Sequence, residues 1–204
     1  MLNLSSDRIT QAIEGYRQTQ SERNYHIFTN ANSDQRLRPA AILMPLLVYE
    51  GRWHLLFTHR SESLTEHKGQ VSFPGGAWEK DDPDMAFTAV RETREEIGVA
   101  PKDVTVYGDL GVMPIVTGYR VTMVVGQIPW PYPLTLNPDE VESAFVCPLL
   151  WLADPDHRTI RYRSFAGREF PIIFFDQFEG YTLWGATAQM TINLLEALRL
   201  IQLT

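Results

Sequence analysis

The feature that most constrains this chain is the run at residues 73–99, where an expected turn at a glycine pair precedes a segment with three closely spaced glutamates. If a helix begins near Met85, its ~100° step per residue places Glu92, Glu95 and Glu96 within a sector of about 100°. A separate stripe, which we expect to pack, consists of Ala86, Val90, Thr93 and Ile97. The run therefore predicts a helix with one packing face and one acidic face.

This acidic face is a candidate metal site. Carboxylates that lie close together repel one another, and a divalent cation relieves that cost. Hard oxygen ligands at this density favour Mg²⁺ or Mn²⁺ over zinc. Arg91 lies beside Glu95 on the helical wheel, where its guanidinium would orient a carboxylate. Gly75 and Gly76 let the backbone approach a ligand, so that a carbonyl could join the metal shell or an amide could meet a phosphate.

A helix rich in Arg and Glu is usually only a solvated face with pairs at i,i+4. The glycines that precede this helix favour the metal site instead, because the glycines and the helix together form a longer pattern. The pattern resembles the Nudix box at Gly76, Asp82, Arg91, Glu92, Glu95, Glu96, Gly98 and Val99. This copy differs from the usual box in having Asp82 in place of a glutamate and a spacer to Arg91 that is longer by one residue.

A second signal lies upstream, at residues 55–76. It resembles the extra motif of the coenzyme A pyrophosphatases within the Nudix superfamily, with matches at Thr58, Arg60, Ser61, Gly69 and the Phe73-Pro74-Gly75-Gly76 end. That family usually has a basic residue where this chain has Thr65, and His67 and Lys68 lie close enough in sequence to substitute. The segments at residues 137–141 and 183–188 also resemble segments of that family, and the whole resemblance covers residues 38–200.

The resemblance implies a fold in the α/β (α+β) class, a Nudix-type α/β/α sandwich with a mixed sheet. We expect residues 1–37 to form an N-terminal helix and connector, and residues 38–204 to form the Nudix hydrolase domain. The helix should begin at about Ser6, with Ile9, Ile13 and Tyr16 on one side. Strands are expected at 40–49, 53–58, 104–107, 112–116, 119–128, 159–163 and 169–175, with a long loop from residue 58 to the glycines. A final helix should run from about residue 185 to residue 200, with Met190, Leu194, Leu195 and Leu198 inward.

The resemblance also implies roles for individual residues. The catalytic candidates are Arg91, Glu92, Glu95, Glu96 and Glu140. The metal candidates are Gly76, Glu92, Glu95 and Glu96, and the cofactor is Mg²⁺ or Mn²⁺. The substrate-binding candidates are Arg60, Ser61, His67, Lys68, Gly69, Phe73 and Gly75. Glu140 is either a further ligand or base, or a residue that caps a turn, and the general base stays open among the carboxylates.

The net charge and the cysteine content limit the classes of partner and the cellular compartment that we expect. The net charge of -7 argues against a general nucleic-acid or membrane-surface binder, so phosphate recognition must be local. The positive loop around His59, Arg60, His67 and Lys68 is the candidate, although such a loop is also typical of a solvated surface. The single cysteine, Cys147, lies in an apolar run and fits a buried residue in a reducing compartment. With no long apolar segment at the N-terminus, we expect a cytoplasmic protein.

The segment at residues 128–134 alternates prolines with Trp130 and Tyr132. These aromatic rings would either stack on a base or pantetheine arm, or form a hydrophobic lid over the core.

Three functions stay open at this point. The first is metal-dependent cleavage of coenzyme A or an acyl derivative to adenosine 3′,5′-bisphosphate and 4′-phosphopantetheine. The second is hydrolysis of another nucleoside diphosphate derivative such as ADP-ribose, which the departure at Thr65 favours. The third is a Nudix-fold binding or regulatory module without turnover, against which the full set of box glutamates argues. The expected partner is a nucleotide substrate resembling coenzyme A, and the N-terminal helix is expected to serve either for packing or as a homodimer contact.

Overall fold

A computed structural model describes residues 4–20, 37–61, 69–165 and 168–202. Its helices are α1 (Ser6–Gln20), α2 (Met85–Ile97), α3 (Leu149–Ala153) and α4 (Gly185–Ala197). Its strands are β1 (Arg38–Tyr49), β2 (Arg52–Arg60), β3 (Val71–Ser72), β4 (Gly75–Ala77), β5 (Thr105–Ile115), β6 (Tyr119–Gln127), β7 (Val141–Pro148), β8 (Arg158–Phe165) and β9 (Arg168–Phe175).

The main sheet is mixed and has seven strands. Its main path is β3-β2-β1-β6-β5, with β4 also paired to β1 and β7 to β2. The strands β1 and β6 run parallel, with Ala40 opposite Val121 and Leu46 opposite Gln127. The other pairs of this sheet are antiparallel. Strands β8 and β9 form a separate two-stranded antiparallel sheet.

Strand β1 is buried on both of its faces. Successive side chains of a strand point to opposite faces, so its residues pack alternately on the two sides of the sheet. Ala40 and Leu46 belong to a core cluster that includes residues of α1 and α4. Ala41 and Leu43 pack instead with Ala89 of α2. Helices therefore cover both faces of the sheet, which confirms the predicted α/β/α sandwich with a mixed sheet.

The first and last helices also match their predictions. Helix α1 begins at Ser6, packs on β5 and buries Ile9, Ile13 and Tyr16. Helix α4 begins at Gly185 and ends at Ala197, three residues earlier than expected, and its inward residues are those predicted. The domain boundary expected at residue 37 stays a prediction.

The predicted turn at the glycines is wrong, because Gly75 and Gly76 lie in strand β4. Gly75 pairs with Ile42 of β1. Its φ is 155°, and a Cβ at this position would lie 2.4 Å from the carbonyl oxygen of Ala41. Only glycine lets the two backbones approach so closely. The loop expected before the glycines likewise contains β3, and the two runs expected at 104–107 and 112–116 are the single irregular strand β5.

Helix α2 begins at Met85, as the sequence predicts. The side chain of Asp84 caps it by accepting a hydrogen bond from the Phe87 amide at 2.8 Å, and Gly98 ends it with a φ of 76°. The predicted division into a packing face and an acidic face is wrong in one respect. The buried residues of α2 are Thr88, Ala89, Thr93, Glu96 and Ile97, whereas Ala86 and Val90 are half-buried. Glu96 thus lies on the packing face.

The segment at residues 128–134, in which prolines alternate with aromatic residues, packs against the protein core. Trp130 and Tyr132 pack against the cluster that contains Ile97 and Val99. The hydroxyl of Tyr132 donates to the Asp103 carboxylate at 2.8 Å. These contacts favour the hydrophobic lid over a ring that stacks on substrate.

Two smaller expectations concern single features. Cys147 is fully buried, as predicted, and burial raises the pKa of its thiol. Across the described ranges, no helix combines the length and the apolar character needed to cross a membrane.

Candidate active site

The acidic residues of α2 are organised by the guanidinium of Arg91. Nε and Nη2 donate to the two carboxylate oxygens of Asp82 at 3.0 and 2.9 Å. Nη1 donates to Glu92 at 3.0 Å and to Glu95 at 2.9 Å. One arginine therefore joins three carboxylates, and the pairing with Glu95 is the one that the helical wheel predicts.

Asp82 is the buried anchor of this arrangement. The hydrogen bond from Arg91 lowers the pKa of Asp82 to about 2, and Asp82 in turn raises the pKa of Arg91. Oδ2 of Asp82 also accepts from the Glu79 amide at 3.0 Å and from the Thr88 hydroxyl at 2.9 Å. Both carboxylate oxygens of Asp82 thus accept hydrogen bonds from protein groups, and the role of Asp82 is to hold Arg91 in place.

Glu92 lies directly against the backbone of Gly76. A Cβ at Gly76 would come within 2.5 Å of the carboxyl carbon and both carboxylate oxygens of Glu92. Gly76 does not have a positive φ, so this glycine is required for space and not for backbone conformation. Burial raises the pKa of Glu92, and Arg91 partly offsets that effect. The structure thus brings together two residues that the sequence predicts as metal ligands.

Glu96 is 2% exposed and is only weakly compensated. The Gly75 amide donates to its Oε2 at 3.4 Å, and Nη1 of Arg60 lies 4.0 Å from its Oε1. Burial raises the pKa of Glu96 to about 8; Glu140 and Glu92 add to the increase, whereas Arg60 opposes it. A bound cation would favour the charged form of this carboxyl group.

Glu140 reaches the same place from the loop before β7. Its negative charge contributes to the raised pKa values of Glu92 and Glu96. The Asn137 side chain donates to its Oε1 at 3.1 Å, and its own carbonyl accepts from the Ser61 amide at 2.9 Å. The structure therefore places Glu140 beside the box glutamates, although the sequence left open a role as a turn cap.

These carboxylates line a cavity of about 800 Å³. Glu92, Glu96 and Glu140 lie on its wall, together with Arg60. Arg91 and Glu95 are not among the residues that line the cavity. Much of the remaining wall comes from segments that the sequence did not identify as site: the turn between β5 and β6, the β8–β9 sheet and the start of α4. The segment around Trp184 resembles a family segment, and that resemblance is the signal by which this wall could have been found.

The upstream segment meets the cavity at only some of its predicted residues. The buried Nε of Arg60 has no hydrogen-bond partner within the described residues. Phe73 lines the cavity, but its ring stacks on Phe57 with centroids 4.9 Å apart. Ser61 and Gly69 are absent from the lining, and the Gly69 carbonyl accepts from Nε2 of His59 at 3.0 Å. The remaining members of this segment, Thr65, His67 and Lys68, lie outside the described residues.

The donor set fits a hard cation. Over the described parts of the chain, no group of three or more His, Cys, Asp or Glu side chains is already drawn together as a metal shell. Glu92, Glu96 and Glu140 nevertheless share one cavity, and the Glu96 carboxyl group is buried at a cost that a cation would relieve. Glu92, Glu96 and the Gly76 backbone are therefore the residues that would hold Mg²⁺ or Mn²⁺, with Glu140 beside them as a further ligand or as a base.

Comparison with known proteins decides the family. Residues 36–166 match the family described as the NUDIX domain. The chain belongs to the Nudix family. It is 40% identical over 154 residues to an uncharacterized Nudix hydrolase, NudL, of Escherichia coli O7:K1, a match that covers 74% of this chain and 78% of NudL. Membership in this family supports a pyrophosphohydrolase activity on small nucleotide-derived substrates, and Nudix hydrolases generally use divalent metals such as Mg²⁺ or Mn²⁺.

Two solved structures show the same Nudix fold. RenU, a Nudix hydrolase from M. smegmatis, superposes with a TM-score of 0.54 at 18% identity, over 82% of this chain and 89% of RenU. A MutT/nudix family protein from Enterococcus faecalis superposes with a TM-score of 0.52 at 12% identity, over 95% of this chain and 74% of its own. At such identities the likeness supports the architecture alone.

Proposed function

We propose that this Nudix hydrolase cleaves the diphosphate of coenzyme A or an acyl derivative to adenosine 3′,5′-bisphosphate and a 4′-phosphopantetheine species. The observation that carries the proposal is the division of the cavity wall. Its charged residues near the box are Glu92, Glu96, Glu140 and Arg60, whereas Ile115, Phe170, Ile172 and Met190 are apolar. A substrate that joins a charged diphosphate to a long, less polar arm matches this division.

The upstream segment supports the same substrate class. The chain between Thr58 and Gly76 resembles the extra motif of coenzyme A pyrophosphatases, and it contributes Arg60, Phe73 and Gly75 to the cavity. The guanidinium of Arg60 lies at the cavity wall and would donate to a phosphate oxygen, which is a charge-assisted hydrogen bond.

In the proposed reaction, the oxygen of a water molecule bonds to one phosphorus, and the bond from that phosphorus to the bridging oxygen breaks. The leaving phosphate keeps the bridging oxygen, and a carboxylate of the site accepts the proton of the water. Glu140 is the carboxylate we favour for this step, because it lies on a loop beside the box glutamates and not on α2. A divalent cation, when bound, would offset the negative charge that develops on the phosphoanhydride oxygens.

The test is a product analysis by mass spectrometry. The protein is incubated with Mg²⁺ or Mn²⁺ in water enriched in ¹⁸O, separately with coenzyme A, ADP-ribose, diadenosine polyphosphates and nucleoside triphosphates. We expect coenzyme A to be cleaved fastest, with ¹⁸O in one of its two products. That label identifies which phosphorus was attacked. Faster cleavage of ADP-ribose or a dinucleotide would overturn the proposed substrate. It would favour a hydrolase of another nucleoside diphosphate derivative, the function that the departure at Thr65 supports.

A non-catalytic binding module is the remaining alternative. Glu96→Gln separates it from an enzyme, because turnover should collapse while substrate affinity largely survives. Glu14→Gln, on the exposed side of α1, is the matched control and should leave turnover unchanged. A wild-type protein that cleaves nothing in the panel but binds coenzyme A would establish the module.

We also place this activity in the cytoplasm, on the basis of the single buried cysteine, and propose that the protein is able to form a homodimer. Light scattering on the purified chain tests the second point.

A further inference from the structure

Arg163 is a second cation on the wall of the cavity. It lies on β8, in a part of the chain far from the box and the upstream segment. Arg60 lies beside Glu96, but no carboxylate of the described residues lies within 4.0 Å of the Arg163 guanidinium. The cavity therefore contains one arginine beside the carboxylates and one that is not neutralised by them.

The guanidinium of Arg163 is held against an aromatic support. Its Cζ lies 5.8 Å from the ring centroid of Trp184, at the start of α4. Phe174 stacks on the same indole, with centroids 5.7 Å apart and planes at 6°. An arginine restrained in this way loses less side-chain freedom when it binds an anion, and its planar fork suits a phosphate.

The proposed substrate has two anionic centres. The proposed reaction puts its diphosphate at Glu92, Glu96 and Glu140, where a cation would be held and the reacting bond would lie. The other centre is the 3′-phosphate of the adenosine, and neither the adenine nor the pantetheine arm carries negative charge. An arginine on the cavity wall apart from the carboxylates therefore has one anionic partner in this substrate.

We propose that Arg163 binds the 3′-phosphate of the substrate and so selects coenzyme A over nucleotides that lack this group. The inference rests on the proposed function, because it assigns one contact within that same cavity. It also supplies a phosphate contact on a different element from the position where this chain has Thr65.

The test compares coenzyme A with 3′-dephospho-coenzyme A in the wild-type protein and in Arg163→Gln. We expect kcat/KM for coenzyme A to fall about 10- to 100-fold in the variant, the effect of removing a hydrogen-bonded charge pair. For 3′-dephospho-coenzyme A the change should stay within about threefold. Arg163→Lys should recover part of the loss, because it keeps the charge without the fork.

Arg161→Gln is the matched control. Arg161 lies on the same strand over the ring of Phe174, with Cζ 4.4 Å from its centroid, and does not line the cavity. This variant should keep the wild-type preference. Calorimetry with adenosine 3′,5′-bisphosphate and AMP gives a readout that needs no turnover: Arg163→Gln should weaken only the bisphosphate.

The two proposals fail differently. If the wild-type protein cleaves coenzyme A and its dephospho form equally well, or if Arg163→Gln slows both alike, the role of Arg163 is wrong while the proposed function stands. If the wild-type protein cleaves neither but hydrolyses another nucleotide, the proposed function is wrong and the 3′-phosphate contact falls with it.

Discussion

The guanidinium of Arg91 on α2 binds both carboxylate oxygens of Asp82, at 3.0 and 2.9 Å. Asp82 lies in the loop that joins β4 to α2. The remaining nitrogen of this fork holds Glu92 and Glu95. An acid in the loop thereby sets the positions of acids on the helix, and Asp82 acts on the site through Arg91.

Asp82→Asn should therefore weaken both the fold and the site. Losing the charged partner of Arg91 should lower the free energy of unfolding by about 1 to 3 kcal/mol. Cation affinity should fall about 10- to 100-fold, as is usual when a residue that orients metal ligands is lost. Chemical denaturation and Mn²⁺ titration measure the two effects, and the exposed neighbour Asp81→Asn serves as the control.

A double-mutant cycle with Arg91→Lys tests whether the pair acts as a unit. Lysine keeps the charge but cannot make the bidentate contact, so the double variant should be little worse than either single one. Fully additive losses would show that Asp82 does not act through Arg91.

Gly76→Ala should disturb Glu92 without changing the backbone preference. The added Cβ would lie 2.5 Å from the Glu92 carboxyl group, so that side chain must move. We expect cation affinity to fall about 10- to 100-fold. Gly15→Ala in α1, with no atom within 4 Å of the new Cβ, should keep wild-type affinity and gain up to about 1 kcal/mol of stability. Unchanged Mn²⁺ binding in Gly76→Ala would remove Glu92 from the proposed cation site.

The buried carboxyl group of Glu96 predicts a pH-dependent stability in the absence of divalent cation. Its pKa is raised from 4.5 to about 8, so the folded protein keeps a proton that the unfolded chain releases above pH 4.5. The free energy of unfolding should therefore fall as pH rises from about 4.5 to 8 and then level off. Glu96→Gln should remove this decline and be more stable than the wild type by about 2 to 4 kcal/mol near pH 8.

Denaturant titrations in EDTA across that pH range measure the effect. Adding Mg²⁺ should restore wild-type stability at high pH and do little for Glu96→Gln, because cation binding replaces the proton. Parallel pH curves for the two proteins would show that Glu96 is not the group responsible.

Glu140→Gln distinguishes a proton acceptor from a cation ligand. If Glu140 accepts the proton of the attacking water, kcat should fall about 10²- to 10⁴-fold while Mn²⁺ affinity changes by less than about tenfold. The exposed neighbour Asp139→Asn should leave both quantities unchanged. A loss of Mn²⁺ binding that parallels the loss of kcat would make Glu140 a ligand instead.

The sequence by itself determined the local elements of the site. Helix α2 begins at Met85 and ends at Ile97 because the capping Asp84 precedes it and Gly98, with a positive φ, follows it, and both signals lie within the segment. The pairing of Arg91 with Glu95 follows from the same helical geometry. The box and the upstream segment indicated the family to which the chain belongs.

Only the tertiary structure decided which of these acids share a cavity. Glu96 is buried although its helical position reads as part of an acidic face, because strand β4 lies over it. Glu140 comes close to the box because β2 pairs with β7 in a register that sets Arg60 opposite Val141. The β8–β9 sheet adds Arg163 to the cavity wall in the same way. Such contacts join residues far apart in the chain, and their positions depend on strand register and packing, which no local pattern records.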